Sequence, residues 1–139
     1  MGQARPDAGA PSVAYVGTPV RILIADRSAL VVDAIVDLFV ELDGDATVMT
    51  AANLMETLEI ARREQPELIV IDACMGIDTD DAVRQVLECS PRSALFVMAT
   101  NCDDVFERRV RRAGATGAWE KEEMPAGVHH ILGTVKARR

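Results

Sequence analysis

Two aspartates and a lysine stand where predicted strands end. Asp26 follows a short apolar run, Asp72 closes a continuous apolar run, and Lys121 comes just after the last predicted strand. The carboxyl ends of parallel strands meet at one edge of a sheet, so we expect these three side chains to face a common crevice. Carboxylate oxygens bind magnesium well, and an ammonium group attracts phosphate oxygens. The trio therefore indicates chemistry with a divalent cation and a phosphoryl group.

The elements that would position these residues alternate between strand and helix periodicity. Strands are predicted over residues 20–25, 46–50, 67–72, 94–99 and 116–119. Helices are predicted over residues 30–42, 53–64, 79–89, 103–113 and 125–137, with Ser28 and Asn53 as N-terminal caps. Five strand–helix units predict an open, doubly wound parallel α/β sheet, since a barrel needs about eight such units.

Composition narrows the class of protein. Residues 1–18 are rich in Gly, Ala and Pro and are predicted to form a flexible N-terminal tail before one domain at 19–139. The net charge of −7 argues against direct binding of nucleic acid by this chain. No apolar run is long enough to span a membrane. The three cysteines lack the spacing of metal ligands and suit a reducing compartment, so we expect a cytoplasmic protein.

Three segments resemble the receiver family of two-component response regulators. They are Ile24-Ala25-Asp26, the run Ile69-Val70-Ile71-Asp72 followed by Met75, and Arg112-Ala113-Gly114-Ala115-Thr116-Gly117 followed by Lys121. The similarity spans about residues 20–137 and is greatest to receivers attached to helix-turn-helix transcription regulators. It implies a flavodoxin-like (βα)5 fold with strand order 2-1-3-4-5. It also implies phosphoryl transfer from a histidine kinase, or contact with another signalling protein.

The resemblance also implies roles for individual residues. Asp72 is the candidate phospho-acceptor, and Lys121 is the residue that contacts the phosphoryl group. Asp26, Asp72 and the backbone carbonyl of Cys74 would hold magnesium.

Several positions depart from the family's pattern. Arg27 replaces the second acid, and Ala99 replaces a hydroxyl residue that normally contacts the phosphoryl group. Arg27 removes an anionic ligand and adds a cation, so magnesium binding is expected to be weak or absent. The guanidinium either bridges Asp26 and Asp72 in place of the ion or points to solvent. Thr100 would substitute for Ala99 only if the strand carried a bulge.

These features predict a signalling module that acts through protein contacts and is not an enzyme. The alternative is a phosphorylation-independent pseudo-receiver in which Arg27 replaces the metal. A flavodoxin-like electron carrier is a remote alternative, because a hydroxyl-rich phosphate loop and flanking aromatic residues are missing. The basic fourth helix, near the acidic stretch Glu120–Glu123, predicts a salt-sensitive homodimer face that includes the fourth helix, fifth strand and fifth helix. Runs of arginines such as this one more often form a solvated helix face, which is the alternative.

Overall fold

Five parallel strands form one sheet at the centre of the molecule. This computed structural model describes residues 18–76 and 78–139. The spatial order of the strands is β2-β1-β3-β4-β5, which confirms the predicted order. The strands are β1 Arg21–Ala25, β2 Thr47–Ala51, β3 Leu68–Asp72, β4 Ala94–Ala99 and β5 Gly117–Glu120. Each differs from its predicted bounds by one residue at most.

Five helices follow the strands in turn and cover both faces of the sheet. They are α1 Ala29–Leu42, α2 Leu54–Glu64, α3 Thr79–Cys89, α4 Asp104–Ala113 and α5 Met124–Ala137, with a 3₁₀ turn at Lys121–Glu123 before the last. The predicted caps are confirmed. Ser28 Oγ accepts from the amide of Val31, and Asn53 Oδ1 accepts from the amide of Glu56. These bonds satisfy amides that the first helical turn leaves without an intrahelical partner.

Alternate residues of the central strands enter two separate cores. Ile22, Leu68 and Phe96 pack beneath α1 and α5, whereas Leu23, Ile69 and Leu95 pack beneath α2, α3 and α4. Central strands covered on both faces have apolar residues at every position, which is why their sequences read as continuous runs. Truncation of a fully buried side chain in either core, such as Phe39→Ala in α1, is expected to cost about 3–5 kcal/mol.

The predicted N-terminal tail lies outside the described residues except for Thr18. Among the described residues, no helix is both long enough and apolar enough to cross a membrane.

The strand order positions the candidate site. β1 and β3 are neighbours, with Ala25 opposite Ile71, so Asp26 and Asp72 leave the same edge side by side. β5 lies two strands away from β3, and Lys121 follows its last residue. The long lysine side chain is therefore able to reach back across β4 to the two carboxylates.

Candidate functional site

Asp26 and Asp72 form a pair of nearly buried carboxylates at the carboxyl edge of the sheet. Asp26 is 3% exposed and Asp72 is 6% exposed. Carboxylates are rarely so buried unless they are paired, because loss of hydration disfavours the charged form. The partner in this structure is Lys121.

The Lys121 ammonium lies between the two carboxylates. Its Nζ is 2.9 Å from Asp26 Oδ2 and 3.0 Å from Asp72 Oδ1. Partial burial lowers the pKa of Lys121, but the hydrogen bonds and negative charges of Asp26 and Asp72 outweigh it and raise that pKa above its ordinary value. The lysine is therefore a fixed positive charge at neutral pH, and it neutralises half of the charge of the carboxylate pair.

The two oxygens of Asp26 have different surroundings. Oδ1 accepts a hydrogen bond of 2.8 Å from the backbone amide of Ser28, which turns the chain sharply after β1. Oδ2 is buried and receives no hydrogen bond of good geometry from the described residues, although the Lys121 ammonium is at ion-pair distance. We regard the short Lys121 contact as the interaction that stabilises this oxygen, because a 2.9 Å separation needs only a small reorientation to form a hydrogen bond.

Arg27 does not bridge the carboxylates. Its side chain is exposed and forms no ion pair with any residue of the described ranges. Asp26 Oδ1 accepts from the backbone amide of Ser28, and the Lys121 ammonium occupies the bridging position between the carboxylates. Of the two orientations predicted for Arg27, the structure therefore has the solvent-facing one. Arg27 lines two shallow clefts that flank the site, one beside α1 and one beside α3.

The end of β4 offers no hydroxyl to the crevice. Ala99 is 5% exposed at the strand end and is paired regularly with Glu120 of β5. The regular register rules out the bulge that would have let Thr100 take its place, and Thr100 is exposed just past the strand. Cys74 is also exposed, two residues beyond Asp72.

Two contacts that hold the neighbouring loops were not anticipated from sequence. Thr79 Oγ1 donates to the carbonyl of Ala73 at 2.7 Å, which ties the start of α3 to the loop after Asp72. Glu120 Oε2 accepts from the amide of Cys102 at 3.1 Å and fixes the loop before α4. The signals were a threonine at a helix start and an acid at a strand end, but neither indicates a specific partner on a distant segment.

The acids of α3 serve the helix and its neighbour and lie outside the carboxylate pair. Asp78 Oδ1 caps the amide of Asp80, and Asp80 pairs with Arg109 of α4 at 3.2 Å. The residues in 18–76 and 78–139 contain no group of three or more acidic, His or Cys side chains arranged to hold a metal ion. One oxygen of each carboxylate already contacts the Lys121 ammonium, so a cation would have to compete with Lys121 for those two oxygens.

Comparison with known proteins places this geometry in context. The chain is 30% identical over 103 residues to the response regulator GacA of Pseudomonas viridiflava, an alignment that covers 73% of this chain and 48% of that protein. The chain spans about half the length of the curated GacA relatives it matches. No family model matches it.

Solved structures show the same fold. A two-component response regulator of the LuxR family from Aurantimonas sp. SI85-9A1 superposes with a TM-score of 0.78 at 22% identity, covering 88% of each chain. A CheY-like response regulator receiver domain from Methanospirillum hungatei JF-1 has a TM-score of 0.71 at 16% identity, covering 88% of this chain and all of that one. The second match covers that receiver domain protein from end to end.

Proposed function

We propose that this chain, a homologue of response regulators with the receiver-domain fold, is a signalling module in which Asp72 accepts a phosphoryl group. The observation that carries the proposal is the Lys121 ammonium held 3.0 Å from Asp72 at the carboxyl edge of the sheet. We propose a histidine kinase as the natural donor and contacts with other signalling proteins as the output.

The chemistry follows from the atoms present. Lys121 contacts Oδ1 of Asp72, while Oδ2 has no hydrogen-bond partner among the described residues. In the reaction, Oδ2 would attack phosphorus, the bond between phosphorus and the donor atom would break, and the electron pair would leave with the donor. The product is an acyl phosphate on Asp72. Its added negative charge would lie beside the ammonium, which stabilises phosphoryl oxygens as a point charge.

We propose that magnesium contributes little. A receiver site of the usual kind needs a cation to offset the charge of its clustered carboxylates. In this chain, Lys121 already neutralises one of the two carboxylate charges. Arg27 stands where a third acid would add affinity. No step of the proposed reaction depends on a bound ion.

Beryllofluoride, an analogue of a phosphoryl group, tests the proposal without a kinase. NMR amide shifts should change around Asp72, Thr100 and Lys121 in the parent and stay unchanged in Asp72→Asn. Asp33→Asn, which alters an exposed acid of α1, is the matched control and should respond as the parent does. An unresponsive parent, or an equal response in Asp72→Asn, contradicts the proposal.

A second candidate is a phosphorylation-independent interaction module. The observation in its favour is that Ala99 offers no hydroxyl, so one customary contact to a phosphoryl group is missing. Light scattering of the parent, of Asp72→Asn and of the parent treated with a phosphodonor separates the two functions. The same association state in all three favours the second candidate, whereas a change confined to the treated parent favours the first.

A further inference from the structure

A positively charged cleft lies at the opposite end of the molecule from the carboxylate crevice. It is formed where the strands begin, by Arg21 of β1, by residues 65–67 before β3, by Arg92 before β4 and by the C-terminal end of α5. Its volume is about 470 Å³. This volume falls within the range of about 300–1,000 Å³ that is typical of small-molecule sites.

The charge of the cleft contrasts with that of the chain. Four arginines and one glutamate line it, in a protein whose net charge is −7. Two of the arginines are neutralised locally. Arg139 forms a two-pronged pair with Glu67, with both N–O distances at 2.9 Å, and Arg21 pairs with Glu64 at 2.9 Å.

The other two arginines of the cleft keep their charge available. Arg92 and Arg138 are exposed, and neither side chain has an ion-pair partner in residues 18–76 or 78–139. The negative ends of nearby helices favour arginines in this region, which explains the residue type. Helix dipoles do not explain why two uncompensated guanidinium groups border the same concave space.

Part of the remaining wall is apolar. Pro19, Pro66, Ala94 and Val135 contribute it. Concave sites that combine apolar walls with a few fixed polar groups suit organic ligands with charged ends. The guanidinium group matches carboxylate and phosphate geometry through paired N–H donors.

We infer that this cleft binds a small organic anion carrying at least two carboxylate or phosphate groups. Arg92 and Arg138 supply the charge that the ligand neutralises, and the paired Arg21 and Arg139 fix the shape of the walls. The inference does not depend on phosphorylation of Asp72, which lies at the other edge of the sheet.

Isothermal titration with citrate and with inorganic pyrophosphate, at constant ionic strength, tests the inference and distinguishes the two anion chemistries. The variant Arg92→Gln/Arg138→Gln removes the uncompensated charges and leaves both ion pairs in place. The matched control Arg84→Gln/Arg108→Gln removes two exposed arginines from α3 and α4, outside the cleft.

We expect saturable binding of at least one probe to the parent. Affinity should fall by at least about tenfold in the cleft variant, because each charge-assisted hydrogen bond contributes substantially. The control variant should bind as the parent does. Absence of binding to the parent by both probes at about 10 mM, or equal weakening in the two variants, would overturn the inference.

Discussion

Removal of the Lys121 ammonium should leave two buried carboxylates facing each other. Lys121→Met keeps an unbranched apolar side chain, shorter by the terminal nitrogen, and removes the charge. Asp26 Oδ2 and Asp72 Oδ1 each lie about 3 Å from Nζ, so they are no more than about 6 Å apart. At an effective dielectric constant of about 20, two unit charges at that separation repel each other by about 3 kcal/mol.

The parent contains this repulsion too, but there the attraction of Lys121 to both carboxylates offsets it, and breaking such a buried ion pair generally costs about 3–5 kcal/mol. The Lys121 side chain is 27% exposed, so water entering the crevice should keep the loss near the lower limit. We therefore expect Lys121→Met to reduce the free energy of unfolding by about 3 kcal/mol, measured by urea denaturation at neutral pH.

The chain offers a matched control for this substitution. Its other lysine, Lys136, pairs with Asp43 at 3.4 Å and is 52% exposed. Lys136→Met should cost less than about 1 kcal/mol, as exposed ion pairs usually do.

A second substitution tests the cause of the loss. Asp26→Asn keeps an oxygen that can accept from Ser28 and removes one of the two repelling charges. Added to Lys121→Met, it should recover about 2 kcal/mol, because the pair would then carry a single charge. A double variant that is no more stable than Lys121→Met, or equal losses in the two lysine variants, would refute the electrostatic reasoning.

Three further predictions follow from the same contacts. Arg27→Ala should change the thermal unfolding midpoint little, because the side chain is exposed and unpaired among the described residues. Arg27→Asp should make the midpoint rise with added magnesium, and a midpoint that does not respond to the ion contradicts this. Because the pKa of Lys121 is raised, its stabilising charge is fully present below about pH 10.5 and is lost as the pH rises through the folded-state pKa. The difference in unfolding free energy between the parent and Lys121→Met should therefore shrink in urea titrations at alkaline pH, and a constant difference would argue against the ion pair. A homodimer through α4, β5 and α5 should weaken with salt, because salt screens attraction between exposed charges. Two of the α4 arginines already pair within the chain, Arg109 with Asp80 and Arg111 with Glu107, so only part of the α4 charge is left for a partner. A monomer at every salt concentration in light scattering contradicts the predicted face.

The fold was predictable because local signals agreed along the chain. The caps Ser28 and Asn53, the buried run before Asp72 and the glycine after α4 each marked an element boundary within about one residue of its observed place. The strand order came from the family resemblance, since periodicity alone does not state which strands are neighbours.

The candidate site was predictable only in part. Sequence placed Asp26, Asp72 and Lys121 at one edge of the sheet, and the structure brings all three together. The exposure of Arg27 was not predictable, because an arginine at this position is compatible with a bridge between the carboxylates and with solvent, and no local pattern decides between them. The bridging lysine also depends on the distance across β4, which no local sequence pattern encodes.

The most direct test of the account is covalent phosphorylation by a small-molecule phosphodonor. The parent should be incubated with acetyl phosphate, with magnesium and with a chelator, and the product mapped by mass spectrometry after digestion. The account predicts one phosphoryl group, located on the peptide containing Asp72, with a yield that depends weakly on magnesium and is lost in Asp72→Asn. A parent that remains unmodified under both conditions, or a modification that persists in Asp72→Asn, would contradict the assignment of Asp72 as the acceptor.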